Sequence, residues 1–389
     1  MPNASDAFVH VAIKCPICQR ESRQRYLKSK LYTPVEVEGD MHVVKYSWES
    51  PVYAGIRPNF YHLWHCPHCR FTDEKEVFRG EDDCGGKLEL IREKILIYSK
   101  APNSLITRLG KAIAFDQLFF TLETALCIHL LAIYLQEMLS ANMRQHGKLA
   151  RFYLRLAWLF REKRSWPVPE RDVPPPFASY SDFFASMQQD WPAIPLQEEA
   201  AIDAAIANYQ EELGHSRRVD DIRFEINIMF LLADLHARRD RLDDAIACTR
   251  HIFQQANRKR QITRQALDAA VNKGKATSQE IENMRTLVNW LNNVVDRTSA
   301  LNEELANRIF DREYPRAREA VLAMAQPTPD NIMARLRELK FHEITCQRLA
   351  TMMRQKMLRQ GDAPTEVAME SKGFLSFMIR RLFRDKGAS

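Results

Sequence analysis

Glycine is rare in this chain, 12 residues of 389. Glycine supplies left-handed backbone and lets the chain approach phosphates closely. Its scarcity disfavours glycine-rich phosphate loops and favours long helices, where glycine costs stability. No Gly-x-x-x-x-Gly-Lys-Ser/Thr, Gly-x-Gly-x-x-Gly or His-Glu-x-x-His motif occurs. The zinc-deaminase pattern needs His-x-Glu with Pro-Cys-x-x-Cys, whereas here proline follows the first cysteine of each pair. The expectation is a protein without catalytic activity.

Long apolar runs are missing too. A spanning helix needs roughly 20 predominantly apolar residues. The most apolar stretch, Ala112 to Leu139, is interrupted by Asp116, Glu123, His129 and Gln136, so it reads as one long buried core helix. Met1 to Phe8 lacks the basic-then-apolar order of a secretory signal, and the expected address is the cytoplasm. Neither charge sign dominates: 56 Lys and Arg face 50 Asp and Glu, a formal net charge of +6. Most of the chain interleaves the signs, as solvated helix faces do, whereas a dedicated nucleic-acid binder concentrates its basic residues. A composition 46% hydrophobic and 27% charged is globular, and the length suits two or three structural units.

What is present is paired cysteine. Of eight cysteines, four form close pairs and four stand singly, which is no disulfide framework. Cys15-Pro16-Ile17-Cys18 and Cys66-Pro67-His68-Cys69 each place two thiolates on one tight turn, and two such knuckles complete a tetrahedral sulfur site. Four thiolates leave no position for a water, so the ion, expected to be zinc, stabilises rather than catalyses. Rubredoxin-like iron sites use the same paired knuckles, and iron stays open. His62, His65 and His68 lie near enough in sequence to replace a ligand, but read as surface or supporting groups; Cys84 reads as a spare thiol. The residue after a knuckle often needs positive φ, which here falls to Gln19 and Arg70.

Along the chain, 7–84 reads as a zinc-ribbon-like domain. Phe8 to Ile13 is strand-like, and a β-hairpin (Val35 to Glu38, Met41 to Tyr46, turning at Gly39-Asp40) is inserted in the long interval between the knuckles. Residues 87–165 form a first helical unit, with a helix over Leu88 to Tyr98 and another over Lys148 to Arg164. A proline- and aromatic-rich insertion, 166–196, forbids continuous helix yet carries Phe177, Phe183, Phe184 and Trp191, which must pack somewhere. The segment 197–326 reads as a helical array, and 328–360 as a C-terminal long helix. In 361–389 a linker precedes an amphipathic basic helix, 373–385. Its docking options are its own array, a partner's groove or a membrane interface. Within Ile222 to Gln255, Leu232, Ala233, His236, Ala245 and Ile252 fall at spacings used by tetratricopeptide repeats, and Leu149 to Glu162 looks similar. Met284, Leu287, Leu291, Val294, Thr298, Leu301 and Leu305 alternate spacings of three and four. They form a helix seam, read as intramolecular with Gln261 to Lys273 rather than as a dimer contact. The fold class is therefore α+β, mostly α: a small zinc-ribbon-like β unit followed by a TPR-like helical hairpin array.

The first knuckle, the segment Tyr61 to Cys69 with Phe71, and the later Gly147 to Arg151 and Leu156 to Glu162 together resemble the bacterial proteins grouped as domain of unknown function 2225. The resemblance covers roughly Ala12 to Gln255. It implies a zinc ribbon joined to a repeat-like helical region and carries no enzymatic activity with it. Only Cys15, Cys18, Cys66 and Cys69 transfer as site residues. Members usually have glycine after each knuckle, and this chain does not.

The expected function is a non-enzymatic protein–protein interaction scaffold whose partner is a protein. The alternative is a nucleic-acid-associated regulator that contacts phosphates through Lys14, Arg20, Arg23 and Arg25, with Asp73, Glu74 and Glu76 diluting that patch. A third reading is a metalloenzyme with a histidine-substituted open site.

Overall fold

The computed structural model describes residues 3–82, 86–165, 173–215, 221–273, 276–325 and 327–359. They fall into two compact units, Met1–Arg239 and Asp240–Ser389. The expected segment 197–326 straddles that division, and Cys84 and the tail helix 373–385 lie outside the described residues.

In the first unit, six strands pair antiparallel as three two-stranded ribbons: β1 (Phe8–Lys14) with β2 (Glu21–Leu27), β3 (Tyr32–Val37) with β4 (Val43–Trp48), and β5 (Leu63–His65) with β6 (Thr72–Glu74). The first and third ribbons each turn at a Cys-x-x-Cys pair, and the second is the inserted hairpin. Among the described residues eight α-helices follow: α1 (Lys75–Arg79), α2 (Leu88–Tyr98), α3 (Leu105–Ala112), α4 (Leu122–Glu137), α5 (His146–Ser165), α6 (Tyr180–Ala185), α7 (Glu198–His215) and α8 (Ile222–Arg238). The chain is thus mostly α with a small N-terminal β part. No helix among the described residues is long and apolar enough to cross a membrane.

The core of this unit is α4. Every residue from Glu123 to Ile133 is buried, as expected for a helix apolar on all sides, which must sit inside. It packs against α3 and α5, and α5 packs against α7. The aromatic insertion does pack: Tyr180, Phe183, Phe184 and Trp191 are all buried, and Trp191 donates its indole N–H to Glu137 Oε2 at 2.7 Å.

Ala112 to Leu139 is not one helix. α3 ends at Ala112, and α4 starts after Thr121, whose side chain accepts from the Thr124 N–H as an N-cap. Between them the carbonyls of Phe115, Gln117 and Leu118 accept from the Arg25 guanidinium, and Phe120 stacks on Tyr61 with centroids 5.0 Å apart. A guanidinium from β2 holds the oxygens that a helix would have used.

The second unit pairs α9 (Leu242–Lys273) with α10 (Ser278–Leu322). Thr249 bonds Asn302 and Arg260 bonds Asn292, partners that run in opposite directions along the two helices. The seam is therefore an intramolecular antiparallel hairpin. It buries Ile252, Ala256, Thr263, Leu291, Val294, Thr298 and Leu305. The expected long helix over 328–360 is two helices, α11 (Pro329–Glu338) and α12 (Glu343–Arg359). Lys340 takes φ 60°, its N–H reaches Arg337 O at 2.9 Å, and the Phe341 N–H reaches Leu336 O at 3.0 Å. That pair of bonds is a Schellman stop. Phe341 then packs on the small core that contains Leu336, Phe310 and Leu349.

Candidate metal centre

The two knuckles are built alike. In the first, the Gln19 N–H donates to Cys15 O at 2.9 Å and the Cys15 N–H to Arg20 O at 3.0 Å. In the second, the Arg70 N–H donates to Cys66 O and the Cys66 N–H to Phe71 O, both at 2.8 Å. Each turn closes only if the residue after the second cysteine turns left-handed, and Gln19 and Arg70 do so at φ 60° and 66°. Gly110 on α3 leaves room for Arg70: a Cβ there would lie 2.5 Å from the arginine side chain.

Gln24 joins the two knuckle ribbons. Its side chain, 1% exposed, donates to His65 O at 2.8 Å and accepts from the His65 N–H at 3.3 Å. A side-chain amide thus supplies the pairing that a neighbouring strand would give. Trp64, Phe71 and Phe78 form the apolar floor, with Trp64–Phe78 and Phe71–Phe78 centroids at 5.9 and 5.3 Å. On the far side β6 is fastened to the helices. Buried Asp73 meets Lys148 of α5 at 2.9 Å, and Glu74 meets Arg151 at 3.0 Å. These acids face the helical body and do not dilute the ribbon's basic surface, as their position in sequence had implied.

All four predicted cysteines come together. The Cys15, Cys18, Cys66 and Cys69 sulfurs lie within 4.8 Å of one another, with Cys15–Cys69 at 3.6 Å and Cys18–Cys66 at 3.7 Å. Four sulfurs about 2.3 Å from a tetrahedral ion are about 3.8 Å apart; disulfide bonding would require about 2.05 Å. The donor set therefore fits a single metal ion and is too open for disulfides.

Electrostatics favour the same conclusion. Hydrogen bonding to Cys66 and then burial push the Cys15 thiol up to about 12. Bonds to Cys15 and Cys66, again with burial, push Cys69 up as well. Cys66 moves strongly down, because the neighbouring Cys15 and Cys69 thiols and the N–H groups of Cys69 and His68 favour its thiolate. Without a cation the cluster must share protons; a dication allows all four thiolates and releases those protons on binding.

No histidine joins the sulfurs among the described residues. His65 is buried beside Thr72, its Nδ1 2.8 Å from Oγ1. Because that hydroxyl donates to Arg70 O, it accepts from His65, and burial followed by the Arg70 charge pulls the ring down to about 3. His68 is exposed and donates to Glu21 O at 3.1 Å. Of the basic residues singled out in the ribbon, Lys14, Arg20 and Arg23 are exposed, but Arg25 is 9% exposed and committed to the Phe115–Leu118 carbonyls. Sequence reasoning missed Gln24 and Arg25 as structural residues, since nothing in a strand-like run marks which polar side chain turns inward.

No curated protein and no solved structure matches the chain. A family model, described as "Uncharacterized protein conserved in bacteria (DUF2225)", matches residues 8–274. That span holds both knuckles, the inserted hairpin and the helices through α9, and the chain belongs to this bacterial family.

Proposed function

We propose that the four cysteines hold one zinc ion as a structural anchor, and that the helical hairpins behind it form a TPR-like surface for a protein partner, with no catalysis. The reading is carried by the sulfur spacing. A closed four-thiolate shell offers no coordination position for substrate or water, so the metal's binding energy goes into folding. Its role is to hold together two ribbons that pair only within themselves.

The helical surface is supported by the packing of α5 on α7. Fully buried Ala150 and Ala157 on one helix, and Ala201 and Ala205 on the other, are the small residues that close helix approach requires. Two clefts flank α6. One of about 760 Å³ is lined by Pro102, Lys111 and Phe177 among others, and one of about 640 Å³ by Phe160, Lys163 and Phe184.

Elemental mass spectrometry of the purified protein tests the first half: one zinc per chain is expected, and iron in its place would reassign the ion. For the second half, the protein is used as bait in its source cells beside Lys111→Glu and Lys163→Glu variants. The variants are expected to lose the protein that the wild type retains. Equal recovery by all three would count against the surface.

A further inference from the structure

The outward face of α9 is a concentrated cationic surface in a chain that otherwise interleaves its charges. From Ala245 to Leu267 there is no acidic residue, while Arg250, Arg258, Lys259, Arg260 and Arg264 all lie in that stretch. At 100° per residue Arg250, Gln254, Arg258, Gln261, Arg264 and Gln265 fall on one side, opposite the Ile252, Ala256 and Thr263 that pack into the hairpin. All six of these outward residues are exposed.

Elsewhere in the same unit arginines are neutralised: Arg312 by Asp240, Arg335 by Glu338 and Arg337 by Glu343. On α9, among the described residues, Arg250, Arg258, Lys259 and Arg264 form no ion pair. Arg260 is held by neutral acceptors, the amide oxygens of Asn292 at 3.2 Å and Asn257 at 2.6 Å, which fix the guanidinium and leave its charge uncancelled. The facing stretch of α10, Asn292 to Asn302, contributes one acid and one base, Asp296 and Arg297. Like charges one turn apart repel, as Arg260 and Arg264 do here, so this face gains from an external anion.

We propose that this face binds the phosphate backbone of a nucleic acid. The span from Arg250 to Arg264 is roughly 21 Å at 1.5 Å per residue, long enough for its three outward arginines to reach separate phosphates of one backbone. Arginine gives bidentate phosphate contacts, and glutamine and asparagine are the amides that accompany it at phosphates and sugars. A membrane-surface helix sets a continuous run of large apolar residues beside its cations; in this stretch of α9 the exposed Phe253 and Ile262 lie on opposite edges of the arginine face, with glutamine between them. The site lies on a different unit from the metal ribbon.

The test is fluorescence anisotropy of the full chain with a labelled mixed-sequence 20-base-pair DNA and a single-stranded RNA of equal length, at several salt concentrations. It compares the wild type, an Arg250→Gln, Arg258→Gln, Arg264→Gln triple variant, and a Lys14→Gln, Arg20→Gln, Arg23→Gln ribbon variant. Glutamine keeps helix propensity, and unchanged circular dichroism shows that the fold is intact. Binding of either nucleic acid is expected to weaken with salt. The α9 variant should lose at least about tenfold in affinity, with its salt slope shallower by about one per arginine removed; the ribbon variant should keep the wild-type slope. Absence of salt-dependent binding, loss only in the ribbon variant, or binding to phosphatidylglycerol vesicles without binding to either nucleic acid would each overturn the proposal.

Discussion

Gln19, Met41, Arg70, Asp240 and Lys340 all carry left-handed backbone without being glycine. In so glycine-poor a chain the corners fall to residues for which this conformation costs roughly 1–2 kcal/mol. Two of the five were legible beforehand, because a knuckle dictates where its turn must close. The turn at Arg239 to Arg241, where Asp240 sits, was legible between two helical stretches, but the stop at Lys340 was not: a helix stop announces itself in sequence through glycine, and here that letter is missing. Gln19→Gly should therefore stabilise the protein, by about 0.5–1 kcal/mol once glycine's extra freedom in the unfolded chain is subtracted. A raised urea midpoint checks this; a lowered one would mean that the Gln19 side chain contributes more than its backbone costs. His129 on α4 gives a pH prediction. It is fully buried, and burial lowers it from 6.5 to about 4, the bond from its Nδ1 to Ala125 O notwithstanding. Above 6.5 the ring is neutral whether the chain is folded or not. Between 6.5 and about 4 the unfolded chain takes up a proton that the folded one refuses, so stability declines as pH falls through that window. Relative to the wild type, His129→Leu should show a shallower decline there in chemical denaturation.

Among the elements, the inserted hairpin is the clearest case of a structure whose existence could be read and whose purpose could not. Its turn enters the helical body. Asp40, fully buried, meets Arg161 of α5 at 2.8 Å and Arg238 of α8 at 3.3 Å. Arg161 also reaches Glu198 of α7 at 2.7 Å. His42 sits between Glu38 at 2.8 Å and Glu162 at 3.1 Å, stacked on Trp158. One guanidinium thus ties the hairpin tip to two helices, and Arg161→Met should cost about 1.5–3 kcal/mol, because it removes charged hydrogen bonds while Arg238 remains beside Asp40. A melting temperature within a degree or two of the wild type would refute that role. Glu38 adds a second pH signature. Burial alone would raise its pKa, but the bond to His42 and the charges of Arg161 and Arg238 outweigh burial and bring it down to about 2. Its contribution is complete above about 4.5 and disappears as pH drops toward 2, so the advantage of the wild type over Glu38→Gln should shrink across that interval. The helix that proved to be α3, a loop and α4 shows the converse: apolar periodicity continued across Phe115 to Phe120, but Arg25, distant in sequence, captured the carbonyls. Long-range polar contacts of this kind leave no local trace.

Across the whole molecule, the division at Arg239 and Asp240 and the family match ending at residue 274 do not coincide. The match stops just past α9, whose buried side needs α10. A chain cut after Lys273 would expose Ile252, Ala256 and Thr263, and should lose solubility relative to the full chain in a sedimentation assay. Paired cysteines were legible at a distance because metal chemistry tolerates few spacings, and the α9–α10 seam because its period is strict. Four sulfurs around one ion are the centre on which the first unit's architecture depends. X-ray absorption at the metal edge of the purified protein measures this directly: it should find zinc with four sulfur neighbours at about 2.3 Å. A shell mixed with nitrogen or oxygen, or a metal-free protein that melts at the same temperature after chelator treatment, would contradict it.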